Sequence, residues 1–307
     1  MTDIALRPLK AAADPNRLRI LAVLDRGPFH VAELTEVLGV GQSTVSRHLK
    51  ILADAGLVEV RRAGTWAFYS LAAAGGFAGR LLELLESTRN GDRDADAPAI
   101  ERVLARRRLA TSEFFRQTAS SWDDVHDRVL GPTVHRDRLL EMVGPCGVVV
   151  DLGTGTGALL EALAPVAEHV IGVDASAEML EVARERASSG ASGDTELRLG
   201  MLEHLPLSDG EADTMIANMV LHHVADLPGV LREVRRGLSA GGRFLIADLE
   251  EHDDESFWKT LGARWPGFRF EDIREQLLAA GFDVVRHEKL PATDSERPPV
   301  FLVEARR

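Results

Sequence analysis

Asp151 closes an apolar run and is followed by glycines at every second position, Gly153, Gly155 and Gly157, in VVVDLGTGTGALLEALA (residues 148–164). Glycines at this spacing allow a turn tight enough for bare backbone N–H groups, and the N-terminus of a following helix, to face a bound ligand. Seventeen residues past the last glycine, after the apolar run VIGV, comes Asp174. An acid at the tip of a second parallel strand is placed to accept hydrogen bonds from both hydroxyls of a ribose. The pattern therefore predicts a site for an adenosyl ligand. Its spacing is GxGxG, not the GxGxxG of nicotinamide and flavin binders.

Such a site needs a scaffold, and 307 residues are enough for two domains. The segment NGDRDADAPA (residues 90–99) is polar, Asp-rich and interrupted by Gly and Pro, as a linker is. It divides a first domain at 1–89 from a second at 100–307. From residue 148 onward, strands are expected at 148–152, 170–174, 196–199, 214–218, 243–248, 283–287 and 300–304, alternating with helices. That order predicts an α/β fold with a seven-stranded, mostly parallel sheet. The net charge of −12 is unevenly spread: residues 1–90 carry 11 Lys and Arg against 9 Asp and Glu, leaving 25 against 39 for the rest. Only the first part can approach a polyanion without strong repulsion. A single cysteine, Cys146, excludes an intramolecular disulfide framework and fits a reducing cytoplasm. No long apolar run suggests a membrane span or an export signal.

The first domain reads as three helices and a two-stranded ribbon. DPNRLRILAVLDRG opens on Asp14 and Pro15. HVAELTEVLG follows, its Gly39 opening a three-residue turn with Val40 and Gly41, then QSTVSRHLKILADAG (residues 42–56). On the last helix Val45, Leu49 and Leu52 face inward. That leaves Gln42, Ser43, Thr44, Ser46, Arg47 and Lys50 outward, as on a recognition helix that meets base edges and phosphates. The ribbon LVEVRRAGTWAFYSL makes a wing turning at Ala63 and Gly64, with Arg61 and Arg62 placed to touch the DNA backbone or minor groove. Through residues 8–71 this domain resembles the ArsR-type winged helix-turn-helix repressors. The resemblance implies a homodimer on a palindromic operator, with the apolar stripe LLELLES (residues 81–87) in the dimer interface. Arsenic-sensing members carry cysteines where this chain has His30 and Ala32. Zinc-sensing members use histidines and acids on the last helix, where only Glu83 and Glu86 occur, so no metal site is expected.

Residues 112–307, from DLGTGTG through LRLGMLEHLPLSDGEADTMIANMVLHHVADLPGVLREVRRGLSAGGRFLIADL, resemble the class I S-adenosylmethionine-dependent methyltransferases. The resemblance puts Gly153, Thr154 and Gly155 against the methionine moiety, Asp174 on the ribose, Ala175 beside the adenine, and Met201 and Leu202 along its edge. Met201 stands where the family commonly has an Asp, and it cannot accept the adenine amino hydrogen bond. Asn218, His222 and His223 are the polar groups nearest the expected methyl position. Either histidine could act as a base near neutral pH, or the pair could pack or cap a helix. Phe115 and Trp122, in FFRQTASSWDDVH, are candidates for a lid wall or for core. Asp248, Glu250, His252 and Asp254 read as an acidic helix start with only a superficial likeness to metal-ligand spacing.

Together these readings describe a cytoplasmic, homodimeric DNA-binding regulator whose methyltransferase domain takes S-adenosylmethionine or S-adenosylhomocysteine and controls operator binding. The rival is an active small-molecule methyltransferase with an auxiliary winged helix. Arsenite as acceptor is disfavoured, since its capture needs several thiolates.

Overall fold

A computed structural model of the chain describes residues 2–63, 66–72, 77–88, 95–131, 134–189, 194–290 and 297–307. It divides into two compact units, residues 1–107 and 108–307.

In the first unit α1 (Thr2–Ala12) precedes the three expected helices, α2 (Pro15–Leu24), α3 (Val31–Leu38) and α4 (Gln42–Asp54). Between α2 and α3 lies the short strand β1 (Phe29–His30), and the wing strands are β2 (Val58–Ala63) and β3 (Trp66–Leu71). The three strands form an antiparallel sheet in the order β1-β3-β2. Local chemistry sets the helix ends. The Asp14 carboxylate accepts from the N–H groups of Asn16 (2.9 Å) and Arg17 (3.1 Å), while Pro15 occupies the first turn, where its missing N–H costs nothing. His30 and Glu33 form a reciprocal capping box on α3, and Gly39 ends that helix at φ 66°. Ile20, Leu21, Leu34, Val45, Leu49 and Leu52 are fully buried beneath the helices. The expected turn at Ala63 and Gly64 falls in part outside the described residues.

Two further helices follow, α5 (Phe77–Thr88) and α6 (Ala97–Thr118). The helix expected from residue 100 thus begins at Ala97. Of the expected linker 90–99, residues 90–94 lie outside the described residues and 97–99 are helical. The chain passes from one unit to the other within α6, between Arg107 and Arg108. The reason is Arg107, which is buried and donates to both Glu33 carboxylate oxygens (2.9 and 2.6 Å) and to the Pro28 carbonyl (3.0 Å). Its guanidinium carbon lies 4.5 Å from the Phe29 ring centre.

The second unit has all seven expected strands: β4 (Cys146–Leu152), β5 (Ala167–Asp174), β6 (Thr195–Leu199), β7 (Ala212–Asn218), β8 (Leu238–Leu249), β9 (Asp283–Leu290) and β10 (Val300–Arg306). Their order is β6-β5-β4-β7-β8-β10-β9, parallel from β6 to β8, with β10 antiparallel to both neighbours. The helices are α7 (Trp122–Leu130), α8 (Val134–Val143), α9 (Leu160–Leu163), α10 (Ala177–Ser189), α11 (Leu227–Gly237), α12 (Glu255–Thr260) and α13 (Phe270–Ala279). Apolar runs such as Met215 to Ala217 and Phe244 to Ala247 are wholly buried, as strands covered on both faces must be. The register pairs Leu152 with Val173 and with Ala217, so the carboxyl ends of β5, β4 and β7 form one edge. Ligands of open parallel sheets sit outside such an edge.

Candidate functional site

The turn after β4 is shaped by hydrogen bonds and by the absence of side chains. The N–H groups of Gly153 and Thr154 both donate to the Val173 carbonyl (2.8 and 3.0 Å), which folds the chain back across β5. Gly153 has φ 69°, and a Cβ there would fall 2.3 Å from Val220 Cγ2. Gly155, at φ 54°, has only the Gly153 carbonyl within 4.0 Å of its Cβ position, so the space beside it is open. Gly157 is not on the cavity wall; it lets the turn pack against Ala183, 3.0 Å from where its Cβ would be. One expectation is corrected. Residues 155–159 are turns, and the following helix α9 is only four residues long. The ligand space is therefore bordered by the backbone of the turn and not by a helix N-terminus.

That space is a cavity of about 500 Å³, ample for a nucleoside-sized ligand with a small partner. Asp151, Gly153, Thr154, Gly155, Asp174, Ala175, Met201, Leu202 and Asn218 all border it. Asp174 Oδ2 accepts from the Gly155 N–H and Oδ1 from the Ser176 N–H, both at 2.8 Å. A carboxylate has about four acceptor sites, so Asp174 keeps acceptor capacity for a ribose hydroxyl. Burial raises the Asp174 carboxyl above its ordinary range, against the pull of those N–H donors. Asp151 accepts from Thr154 Oγ1 at 2.7 Å, and burial pushes its carboxyl up to about 7. Ala175, Met179 and Leu202 offer apolar surface beside Asp174, and Met201 is exposed there. The donor set thus fits an adenosyl group: acceptors for a ribose, an apolar slot for a ring, and a buried acid beside bare backbone.

The opposite wall is aromatic and basic. Phe115 and Trp122 both border the cavity, with ring centres 5.0 Å apart. Phe115 meets the His223 ring edge-on at 4.8 Å. His223 Nδ1 lies 3.3 Å from the Gly262 carbonyl, which can only accept, so Nδ1 carries the proton and Nε2 is bare. That Nε2 is buried without a hydrogen-bond partner, and so is Asn218 Oδ1. Burial, reinforced by His222, holds the His223 pKa well below its ordinary value. The two candidate histidines diverge here. His222 does not border the cavity; its Nδ1 bonds Asp248 Oδ1 at 2.6 Å in a fully buried pair. Asp248 also accepts from the Leu221 N–H (2.9 Å), so this pair anchors the turn that presents His223. Asp254 caps α12 through the Ser256 N–H (2.9 Å), as an acidic helix start does. Among the described residues no group of His, Cys, Asp and Glu is arranged to hold a metal ion.

Several wall residues carry no sequence signature. His135 and His126 border the cavity, and burial lowers both, His135 to about 4. Asp123 accepts from Thr156 Oγ1 at 2.6 Å and pairs with Arg186, tying α7 to the glycine turn and to α10. Met219, at φ 53°, is a non-glycine residue in left-handed backbone between Asn218 and Val220.

In the first unit α4 exposes Gln42, Ser43, Ser46, Arg47 and Lys50, half-exposes Thr44, and buries Val45 and Leu49. Arg61 is half-exposed on β2; the side chains of Arg62, Glu83 and Glu86 lie outside the described residues. His30 serves as the cap of α3.

A winged helix-turn-helix and a seven-stranded, mostly parallel sheet with a glycine turn define a chain in which a winged-helix unit is joined to a methyltransferase fold. The model of the bacterial regulatory protein arsR family matches residues 14–60, and that of a methyltransferase domain matches 146–266. An uncharacterized methyltransferase of Synechocystis is 32% identical over 154 residues, 47% of this chain and 70% of that protein. The arsenite methyltransferase of Halobacterium salinarum is 34% identical over 153 residues, 47% of this chain and 39% of that protein. The chain belongs to the methyltransferase family and carries an ArsR-family domain at residues 14–60. It spans less than half the length of several curated relatives. In fold it is similar to Haemonchus contortus phospholethanolamine N-methyltransferase 2, solved in complex with phosphomonomethylethanolamine and S-adenosylhomocysteine. That likeness has a TM-score of 0.54 at 17% identity and covers 64% of this chain and 60% of that one.

Proposed function

We propose that the chain is an ArsR-type regulator, acting as a cytoplasmic homodimer on operator DNA, whose second domain binds S-adenosylmethionine or S-adenosylhomocysteine and couples that occupancy to DNA binding. The observation that supports it is α6: one unbroken helix gives Arg107 to the first unit's buried ion pair and Arg108, Thr111, Ser112 and Phe115 to the cavity wall. Ordering of the wall by a ligand then has a covalent route to the DNA-binding unit. Leu6 and Leu9 on α1 and Phe77 and Leu84 on α5 are exposed apolar residues suited to a dimer face. In this reading Gln42, Ser43, Thr44, Ser46, Arg47, Lys50, Arg61 and Arg62 meet DNA.

Operator affinity, measured on the duplex upstream of the chain's own gene with saturating S-adenosylmethionine, with S-adenosylhomocysteine and with neither, tests the coupling. A ligand-dependent change of about 5- to 150-fold is expected. Three equal affinities refute the sensor. A second reading, a working methyltransferase, is favoured by the unpartnered Nε2 of His223, a residue of the cavity wall. Arsenite remains a poor acceptor for it, because Cys146 is the chain's only thiol and burial raises its pKa.

A further inference from the structure

We infer that the aromatic end of the cavity takes a flat aromatic molecule bearing an acidic hydroxyl, whose proton His223 accepts at Nε2 as a methyl group is transferred to the hydroxyl oxygen. This rests on the adenosyl-ligand reading of the same cavity. Two buried acceptors there, His223 Nε2 and Asn218 Oδ1, are unpartnered. A buried acceptor left unmatched is costly, so the natural occupant brings hydrogen-bond donors to this end.

The walls say what carries the donor. Phe115, Trp122 and His223 meet one another edge-on, with Phe115 4.8 Å and Trp122 6.3 Å from His223, and His126 lies 6.2 Å from Trp122. A flat ring can join such a set by stacking on one face and meeting edges on another. A protonated amine fits poorly beside His223, because burial keeps that ring, His126 and His135 neutral and the nearby Asp123 carboxylate is already paired with Arg186. An aliphatic alcohol fits poorly for another reason. A base whose grip on a proton is weakened by burial can take one only from a hydroxyl that gives it up readily, which a phenol does.

The step balances without a further reagent. The hydroxyl proton passes to Nε2, the oxygen forms a bond to the methyl carbon, and the carbon–sulfur bond of S-adenosylmethionine breaks with its electron pair left on sulfur. The products are an aryl methyl ether and S-adenosylhomocysteine; the imidazolium then returns its proton to water. Nδ1–H keeps its bond to Gly262 throughout and offsets the charge that develops on the ring.

The test uses the full chain. S-adenosylhomocysteine is first titrated by calorimetry. 4-Nitrophenol is then titrated into the S-adenosylhomocysteine complex with tryptophan fluorescence as readout. Turnover is last compared for phenols of graded acidity, benzyl alcohol and benzylamine. We expect 4-nitrophenol to bind and the phenols to be methylated, but neither benzyl compound. His223→Asn should keep S-adenosylhomocysteine affinity yet lose about 100-fold or more in turnover, its residual rate appearing only where the phenol ionises unaided. Trp122→Ala should weaken 4-nitrophenol binding without moving S-adenosylhomocysteine affinity. If S-adenosylhomocysteine binds but 4-nitrophenol neither binds nor is methylated, the inference is overturned alone. The same holds if a benzyl compound is the better acceptor or if His223→Asn turns over like the wild type. If S-adenosylhomocysteine itself fails to bind, the adenosyl-ligand reading falls with it.

Discussion

Asp151 should make adenosyl-ligand binding depend on pH across neutrality. Its carboxyl is buried at the floor of the cavity, where it holds the Thr154 hydroxyl and is pushed by burial up to about 7. S-adenosylhomocysteine brings an ammonium group that a carboxylate attracts and a neutral acid does not, so binding must strip the proton. At pH 6 a group with pKa about 7 is ionised in roughly one molecule in eleven, so affinity should be about tenfold weaker than at pH 8. Below neutrality the logarithm of the affinity should climb by about one per pH unit. Asp151→Asn removes the slope and, at pH 8, weakens binding by about 1–3 kcal/mol through loss of the charged acceptor. The free protein should behave in the opposite sense. A carboxyl whose folded pKa lies above its unfolded one contributes stability at low pH that is lost as pH rises from about 4 to about 7. Unliganded Asp151→Asn should therefore melt higher than wild type at pH 8 while binding less well. Calorimetric titration at pH 6, 7 and 8, in two buffers of different ionisation enthalpy, reads both the affinity and the proton released. A wild-type affinity flat across that range, or the same slope surviving in Asp151→Asn, would refute the assignment of the proton to this carboxyl.

Arg107→Met should be costly, because it strands the buried Glu33 carboxylate. Loss of about 3–5 kcal/mol is expected in denaturant unfolding of the first unit's transition, with most of it recovered in the double variant Glu33→Gln/Arg107→Met. Burial works against ionised Glu33, but the hydrogen bond and charge of Arg107 hold its pKa below the ordinary carboxylate value, so this stability should persist at neutral pH and fade on acidification. Gly153→Ala should abolish S-adenosylhomocysteine binding, since its Cβ would overlap Val220 in left-handed backbone; Val220→Ala in the same chain should restore part of it, and no rescue would mean that backbone strain dominates.

What the sequence disclosed depended on whether the physics was local. The strands were legible because buried parallel strands are continuous apolar runs, and DLGTGTG with Asp174 was legible because a tight turn and a strand tip depend on residues close in the chain. The inward and outward faces of α4 were legible from one periodic stripe, and the structure exposes Arg47 and Lys50 and buries Val45 and Leu49 accordingly. The end of the first unit was not, since it is fixed by Arg107 reaching Glu33, 74 residues away. Neither was the length of α9, because a glycine turn can delay a helix without changing its apolar period. The pair His222 and His223 shows the limit most clearly. Adjacent and chemically identical in sequence, they are separated by partners 26 and 39 residues further on, Asp248 and the Gly262 carbonyl. The first partner holds one imidazole outside the cavity wall; the second fixes the proton of the other on Nδ1 and leaves its buried Nε2 without a partner. A tautomer set by a distant carbonyl leaves no trace in local composition, and the proton acceptance proposed for His223 depends on it.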